Sequence, residues 1–219
     1  MCQISEKEEL RPAITYLKVR VFIAAGPCPG HMYDRLVESF RKCPVVDRNG
    51  YPYFVHPLTD GVPRMDPEVL REVLEWMKSA GNFDCDLLIL PEAMGIPLGV
   101  PLSLELGIPY TVVRKKKYGL EGEVSVEQHT GYSSSVMYID GVRKGDRVTV
   151  IDDVISTGGT LTAIIKALRD TIGAEIADVI VPVDKAGGRN TVKKETGLDV
   201  KTMVEISVGP DGKVRCDLC

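Results

Sequence analysis

The sequence predicts an α/β fold in which a mostly parallel, twisted sheet is flanked by helices. A small N-terminal segment, residues 45–65, is expected to lie apart from this sheet, and we call it the hood. The most regular strand is residues 148–151, whose four β-branched side chains suit a strand buried on both faces. Similar apolar strands at residues 85–90 and 110–113 alternate with segments of helical period. This alternation is typical of parallel strands joined by helices.

The composition is that of an ordinary globular protein. A length of 219 residues, 44% hydrophobic residues and a net charge of -4 suit one domain and lack the basic balance of a nucleic-acid binder. No apolar run approaches the roughly 20 residues of a membrane helix, and the apolar residues 21–25 are too few for a signal peptide. We therefore expect a cytoplasmic protein without nucleic-acid or membrane partners. Its six cysteines are expected to be free thiols or packing residues.

The two ends of the chain lack the pattern of a core. Residues 1–31 begin with charged residues and end in glycines and prolines, which interrupt helices and strands. We therefore expect an N-terminal extension that is not native or is disordered. An amphipathic helix begins at Met32, which we expect to be the natural start of a single domain, residues 32–219. At the other end, Cys216 and Cys219 form one C-x-x-C without a partner pair, which favours a solvated tail over a zinc site.

The hood is followed by a well-capped helix. Residues 51–63 are rich in aromatic residues and proline and have no helical period, which predicts a loop with at most one short edge strand. Its rings either stack on a flat heterocycle or form a satellite apolar cluster, and Phe54 is the residue that we expect to stack. His56 has no partner visible in the sequence, so a structural role is favoured over catalysis. Asp66 then caps a helix whose first position is Pro67.

Two loops that follow predicted strands have the composition of anion-binding sites. After strand 85–90, the small residues of segment 91–97 would let backbone N–H groups approach an anion closely. After strand 110–113, four consecutive cations at residues 114–117 predict a site for a strongly charged anion rather than a solvated basic turn. Residues 119–135 are rich in glycine, serine and threonine, which predicts a mobile flap between two edge strands that excludes water.

The loop after strand 148–151 has the most specific chemistry. Gly158 and Gly159 allow a tight turn at the start of a helix, where backbone N–H groups suit a phosphate monoester. Asp152 and Asp153 would repel that phosphate and suit the cis-diol of a ribose or a hydrated Mg²⁺. A plain strand-to-helix turn with an Asx cap explains the glycines but not two consecutive aspartates. The loop therefore predicts a phosphorylated sugar.

The remaining strands bring one lysine to the same edge of the sheet. Residues 175–184 are predicted to form a buried strand beside strand 148–151, and residues 200–208 are expected to close the sheet. Lys185 can then reach the crevice above the ribose site. Its ammonium is a hydrogen-bond donor only, so it suits an acceptor such as a carbonyl oxygen of the ligand. The alternative is an exposed lysine in a turn.

The central loop, VTVIDDVISTGGT at residues 148–160, resembles the phosphoribosyl-pyrophosphate motif of type I phosphoribosyltransferases. With YFVHPLTDGVP at 53–63, EAMGIP at 92–97 and RKKKYGL at 114–120, the chain is similar to the archaeal-type hypoxanthine/guanine phosphoribosyltransferases. The resemblance implies a homodimer with the type I phosphoribosyltransferase fold that works in purine salvage with Mg²⁺. Such an enzyme transfers 5-phosphoribose from phosphoribosyl pyrophosphate to N9 of hypoxanthine or guanine, giving IMP or GMP plus pyrophosphate.

The same resemblance implies roles for particular residues. The 5′-phosphate would be held by Ser156, Thr157, Gly158, Gly159 and Thr160. The ribose hydroxyls would be held by the catalytic pair, Asp152 and Asp153. Pyrophosphate would be held by Glu92, Ala93, Met94, Gly95, Arg114 and Lys115, with a non-proline cis peptide at Glu92-Ala93. The base would contact Lys185 and Phe54. The donor-only ammonium of Lys185 would suit the carbonyl O6 of a 6-oxopurine and not the amino group of adenine. No side chain is expected to bind the metal directly, since Mg²⁺ would be held by substrate and by water near the aspartates.

One position departs from the related adenine enzymes and leaves alternatives open. Their catalytic flap glutamate aligns with Gly131, and Glu127 is nearby but out of register, so either that acid is dispensable or the base differs. Adenine phosphoribosyltransferase, giving AMP, is kept as the main alternative. A non-catalytic regulator that senses phosphoribosyl pyrophosphate is less favoured, because residues 1–31 are too short for a winged helix. A pyrimidine or orotate enzyme is weaker still.

Overall fold

The computed structural model describes residues 33–48, 50–130, 133–185 and 187–219. Its helices are α1 (Asp34–Arg41), α2 (Pro57–Asp60), α3 (Pro67–Ala80), α4 (Gly95–Leu106), α5 (Gly159–Lys166), which continues as a π-helix over Ala167–Ile172, and α6 (Gly188–Thr196). Its strands are β1 (Val45–Arg48), β2 (Tyr51–Phe54), β3 (Leu87–Pro91), β4 (Tyr110–Val113), β5 (Val124–Thr130), β6 (Ser133–Ile139), β7 (Arg147–Ile151), β8 (Val154–Ile155), β9 (Glu175–Ile180), β10 (Val183–Lys185), β11 (Val204–Val208) and β12 (Val214–Leu218). Within these ranges no helix is long and apolar enough to cross a membrane. The expectations for residues 1–31 and for Gly131 lie outside the described residues.

The centre of the fold is a four-stranded parallel sheet in the order β4-β3-β7-β9. β7 lies inside this sheet. Its successive residues Val150 and Ile151 belong to the core clusters on opposite faces and are both 0% exposed, which confirms a strand covered on both faces. β3 pairs with β7 in parallel, with Leu87 opposite Val148. The loops after both strands therefore leave from the same edge, and the predicted α/β architecture is confirmed.

A second four-stranded sheet has the order β12-β11-β10-β8, with β10 parallel to both of its neighbours. The prediction of a single strand at residues 175–184 is therefore wrong, because this segment is divided between β9 in the first sheet and β10 in the second. The break falls at Pro182, which has no backbone N–H for a sheet ladder. Beside it, Val181 N donates a hydrogen bond to Lys201 O at 3.0 Å.

The C-terminal residues form the edge of this second sheet. β11 and β12 pair antiparallel, with Ile206 opposite Cys216, so the strand predicted at residues 200–208 starts later and does not close the sheet. Cys216 is 1% exposed and packs in the core together with Val214. The prediction of a solvated tail is wrong for this segment, although Cys219 itself is exposed.

The core lies on both faces of the central sheet. Along β3, Leu88 and Leu90 belong to the cluster that includes α1, α3 and α4, whereas Ile89 belongs to the cluster under α5. All three side chains are 0% exposed, and burying a side chain of this size contributes about 1.5–3 kcal/mol. Their alternation fixes the register of the sheet and so the positions of the loops at its carboxyl edge. On the first face α3 begins as predicted, with Asp66 Oδ1 accepting a hydrogen bond from Glu68 N at 2.9 Å.

The hood is an antiparallel hairpin of β1 and β2 followed by the short helix α2. Within residues 51–63, β2 is the one short strand that was expected, whereas the short helix α2 was not predicted. His56 caps α2, since its Nδ1 accepts a hydrogen bond from Leu58 N at 3.1 Å. Its Nε2 lies 3.0 Å from Ser39 Oγ and must be the donor, because the Ser39 hydroxyl donates to Leu36 O at 2.6 Å. Burial lowers the pKa of His56 to about 4, so this neutral ring has the structural role that was predicted.

The predicted flap is itself a β-hairpin. β5 and β6 pair antiparallel from Val124 opposite Ile139 to Thr130 opposite Ser133. The sequence gives no steady alternation there, and the pairing was not predicted. The hairpin is joined to the central sheet just beyond β4, where Arg114 N donates to Tyr138 O at 3.0 Å and Tyr138 N donates to Arg114 O at 2.7 Å.

Candidate active site

The loops after β3 and β7 meet at the carboxyl edge of the central sheet. A Cβ at Gly95 would lie 2.7 Å from Ile151 O and 3.4 Å from Asp152 Oδ1. Glycine at the start of α4 therefore allows the two loops to touch. Glu92-Ala93 is a cis peptide, as the family resemblance implied. Residues predicted for pyrophosphate and for ribose are thus brought together.

The two aspartates form a tightly held pair. Asp152 N donates to Ile180 O at 3.2 Å, and Asp153 N donates to Asp152 Oδ1 at 3.0 Å. Asp153 is 7% exposed. Burial raises the pKa of both carboxyls, and the charge of Asp152 raises the pKa of Asp153 further. Two such carboxyls would be stabilised in their charged form by a ligand that brings hydroxyl donors or a hydrated cation.

A small cavity lies beside this pair at the start of α5. Its volume is about 180 Å³, and it is lined by Asp152 and residues 154–161. Ser156 and Thr157 are exposed at its mouth. The first N–H groups of a helix have no partner within the helix, and they carry a positive partial charge. The cavity therefore has the size and the donors for a phosphate group.

The phosphate loop is locked against the start of α6. Gly158 has φ +82°, and a Cβ there would lie 2.7 Å from Gly188 O. A Cβ at Gly188 would in turn collide with Ser156 O. The buried Asp184 fixes this contact, because its Oδ1 accepts a hydrogen bond from Gly188 N at 2.9 Å. Gly188 and Asp184 were not predicted as site residues, and the pair of glycines at 187 and 188 was the signal available in the sequence.

Glu92 holds the basic turn rather than facing an anion. Its Oε1 accepts a hydrogen bond from Lys115 N at 2.8 Å, and its Oε2 lies 3.2 Å from Arg114 Nε. In the part of the chain that the structure describes, no carboxylate forms an ion pair with the side chain of Lys115 or Lys117. The side chains of Lys115 and Lys117 are therefore available to an anion at the end of β4.

Lys185 lies at the end of β10, under the hood. Its Nζ is 4.9 Å from the ring centroid of Tyr51, 4.7 Å from that of Tyr53 and 5.0 Å from that of Phe54. Phe54 is only 3% exposed because it packs edge-on against Phe40, with centroids 5.9 Å apart. Tyr51, by contrast, is 52% exposed. The two tyrosines were not predicted, since no local pattern relates residues 51 and 53 to residue 185.

Tyr53 also connects the hood to the ribose site. Its hydroxyl donates to Asp60 Oδ1 at 2.7 Å. Burial, followed by this hydrogen bond, raises the pKa of Tyr53 to about 12, and the charges of Asp60 and Asp153 act in the same direction. The hood therefore lies close to both the carboxyl pair and Lys185.

On the flap, Glu127 is exposed and faces a cleft of about 610 Å³ that Gly159 and Thr162 of α5 also line. This cleft places the flap strand alongside the helix that begins the phosphate cavity. Within the described ranges, no group of three or more His, Cys, Asp or Glu side chains is arranged to hold a metal ion.

Comparison with known proteins agrees with this geometry. Residues 68–211 match the family described as the phosphoribosyl transferase domain. A hypoxanthine/guanine phosphoribosyltransferase from Methanobacterium lacus is 47% identical over 186 residues, which cover 85% of this chain and 97% of the relative. One from Methanococcus vannielii is 50% identical over 182 residues, covering 83% and 97%.

Solved structures agree on the fold. The adenine phosphoribosyltransferase of Thermoanaerobacter pseudethanolicus has a TM-score of 0.64 at 26% identity, covering 78% of this chain and 99% of its own. That of Trypanosoma brucei, in complex with AMP, pyrophosphate and ribose-5-phosphate, has a TM-score of 0.65 at 22% identity, covering 80% and 79%. Sequence family, fold and the arrangement of the loops all agree. The chain belongs to the phosphoribosyltransferase family.

Proposed function

We propose that this enzyme transfers 5-phosphoribose from phosphoribosyl pyrophosphate to N9 of hypoxanthine or guanine. The observation that carries the proposal is the position of Lys185. Its donor-only ammonium lies at the carboxyl end of β10, which pairs in parallel with β8, and the carboxyl end of β8 leads into the phosphate cavity. The names of its relatives, which are hypoxanthine/guanine phosphoribosyltransferases, support the same choice of base.

In this proposal the sugar phosphate spans the loop after β7. The 5′-phosphate occupies the cavity at the start of α5, where it accepts hydrogen bonds from the backbone and from Ser156, Thr157 and Thr160. Asp152 and Asp153 accept hydrogen bonds from the ribose hydroxyls. When the bond from C1′ to pyrophosphate breaks, the ribose gains oxocarbenium character, and the nearby carboxylates stabilise its positive charge.

The leaving pyrophosphate gains negative charge in the same step. Arg114 and Lys115 lie at the end of β4, where their side chains can neutralise it, and Glu92 keeps both in place. The cis segment at Ala93 and Met94 and the close contact of Gly95 with β7 bring backbone groups to the same region. Cations there favour the products of bond cleavage over the intact substrate.

Base selection depends on hydrogen-bond polarity. Lys185 can donate to the carbonyl O6 of hypoxanthine or guanine, whereas the amino group of adenine would face it donor to donor. Sites built around such a partner reject the wrong analogue by about 10⁴-fold or more in favourable cases.

The site also fits Mg²⁺. Two carboxyls whose pKa is raised by burial would be stabilised by a cation, and Mg²⁺ usually keeps several waters and takes few protein ligands. Asp152 and Asp153 would hold it through its water shell beside the substrate. When bound, it supplies further neutralisation of the pyrophosphate.

We further propose that the enzyme is a cytoplasmic homodimer. Large apolar side chains are exposed on the last turn of α4, namely Leu104 at 80% and Leu106 at 37%. An exposed cluster of this kind favours self-association. Light scattering behind a sizing column should give twice the chain mass, and a monomer at micromolar concentration would contradict this part of the proposal.

The activity is tested by incubating the purified chain with phosphoribosyl pyrophosphate, Mg²⁺ and hypoxanthine, and separating the products by chromatography. IMP and pyrophosphate should form in equal amounts, and chelation of Mg²⁺ should stop the reaction. The matched control is the double variant Asp152→Asn, Asp153→Asn, which should fold but not turn over. Tight binding of phosphoribosyl pyrophosphate without turnover of any purine would contradict the proposal and favour a regulator.

A further inference from the structure

Three aromatic rings of the hood surround the ammonium of Lys185. The Nζ atom lies 4.7–5.0 Å from the centroids of Tyr51, Tyr53 and Phe54, so no single ring accounts for its position. A cation over an aromatic face at this distance is attracted by the ring quadrupole. We call these three rings the aromatic cage.

The cage is the main set of partners of this ammonium. In the described residues, no carboxylate forms an ion pair with Lys185, and its Nζ makes no hydrogen bond. The neighbouring Asp184 is directed elsewhere, to Gly188 N and to Arg189 Nε at 3.2 Å. The half-buried Lys185 is therefore held by ring faces that belong to a different part of the chain.

We propose that Tyr51 and Tyr53 are positioning residues that fix Lys185 for the choice of base. The inference rests on the proposed function, because it concerns how the base-selecting group is held. Ring faces attract the charge of the ammonium without a lone pair that would compete with a ligand oxygen for its protons, so the ammonium can still donate to O6. A carboxylate in the same place would neutralise the charge and compete with O6 for those protons.

The cage also reduces the freedom of a long side chain before the base binds. A lysine side chain loses considerable rotamer entropy when it is fixed, and preorganisation avoids that loss at the moment of binding. The two tyrosines lie on the paired strand β2, where Tyr53 is fixed further by Asp60 and by Arg48, whose Cζ is 4.1 Å from its ring. Tyr51 makes neither contact, which makes it the cleaner position for a test.

A measurement without substrates tests whether the cage exists in solution. We expect that, in protein with ¹³C at the lysine ε-carbons, one ε-CH₂ resonance will lie upfield of the rest because of the ring currents, and that Lys185→Met will remove it. Tyr51→Leu should move this resonance toward the normal position, whereas Tyr51→Phe should not. Absence of any upfield resonance assigned to Lys185 would overturn the cage whatever the activity of the enzyme.

A double-mutant cycle tests what the cage does. Loss of one exposed ring should lower the preference for hypoxanthine over adenine, measured as the ratio of kcat/KM values, by about 2- to 10-fold. Tyr51→Leu should have this effect in the native background and none in the Lys185→Met background, because the ring acts through the lysine. Tyr51→Phe should restore the preference, and the KM for phosphoribosyl pyrophosphate should not change.

Tyr110→Leu is the matched control, since this tyrosine is 44% exposed on a short strand away from the hood. It should leave the base preference unchanged. An equal loss for Tyr51→Leu in both backgrounds would mean that the ring contacts the base directly, and would overturn the proposal. The proposal would also be overturned if Tyr51→Leu kept the native base preference while Lys185→Met lost that preference. A native enzyme that prefers adenine would instead refute the proposed function and leave the resonance test standing.

Discussion

Replacing Glu92 tests the anion site through a residue that need not touch the ligand. Its two carboxylate oxygens are engaged by Lys115 N at 2.8 Å and by Arg114 Nε at 3.2 Å. A free carboxylate would repel pyrophosphate, so we expect Glu92 to act by holding these two residues in place. Glu92→Ala should therefore raise the KM for phosphoribosyl pyrophosphate and leave the KM for the base nearly unchanged.

The size of the effect follows from the two interactions that are lost. The hydrogen bond from Lys115 N to the Glu92 carboxylate is exposed to solvent, so we assign it the contribution of an ordinary hydrogen bond, about 0.5–1.5 kcal/mol, and not the larger value of a buried charged group. The ion pair with Arg114 contributes less, about 0.2–1 kcal/mol, because the arginine side chain is 45% exposed to solvent. Together they amount to about 1–2 kcal/mol, or about 5- to 30-fold in affinity for the substrate.

The assay is initial rate against the concentration of phosphoribosyl pyrophosphate at saturating hypoxanthine. Glu92→Gln keeps an oxygen for Lys115 N and should lose less than Glu92→Ala. The control is Glu105→Ala, which removes an ion pair with Lys78 at the opposite end of α4 and should behave as the native enzyme. An unchanged KM in Glu92→Ala, or an equal loss in Glu92→Gln, would refute the positioning role.

Two further predictions concern stability. Burial raises the pKa of Asp153, so the folded state binds this proton more tightly than the unfolded state does, and the associated stability is lost as pH rises through the raised pKa. At pH 8 the melting temperature of Asp153→Asn should then be more than about 2 °C above that of the native protein, and this difference should vanish near about pH 4. Turnover should fall about 100-fold or more. A difference in melting temperature that is the same at all pH values would argue against this. Gly158→Ala should lower both the melting temperature and the affinity for phosphoribosyl pyrophosphate, because its φ is +82° and the new Cβ would meet Gly188 O at 2.7 Å. Gly159→Ala, whose nearest contact would be 3.8 Å away, is the control, and equal melting of the two variants would contradict the packing argument.

Features determined by neighbouring residues were predictable from the sequence. The Asp66-Pro67 start of α3 and the buried strand of residues 148–151 depend on capping and on local apolar runs, and both were predicted. The juxtaposition of Gly95 with Asp152 was expected only because carboxyl ends of parallel strands share one edge. The location of the site could thus be predicted, although its internal contacts could not.

The features that were missed depend on partners distant in sequence. Val214 and Cys216 alternate with polar residues as a strand should, but the segment is stable only because β11 lies beside it. The division of residues 175–184 follows from Pro182 together with a second sheet that the local pattern does not reveal. The aromatic cage joins residue 185 to rings more than a hundred positions earlier, and no spacing in the sequence relates them.

Direct competition between two bases tests the central claim most directly. The purified enzyme receives limiting phosphoribosyl pyrophosphate with equal concentrations of hypoxanthine and adenine, and the ratio of IMP to AMP gives the ratio of the two kcat/KM values. A donor-only Lys185 at the base edge predicts at least about a 100-fold excess of IMP, well within the 10⁴-fold that such sites can reach. A product that is mostly AMP, or a mixture near equality, would contradict the account.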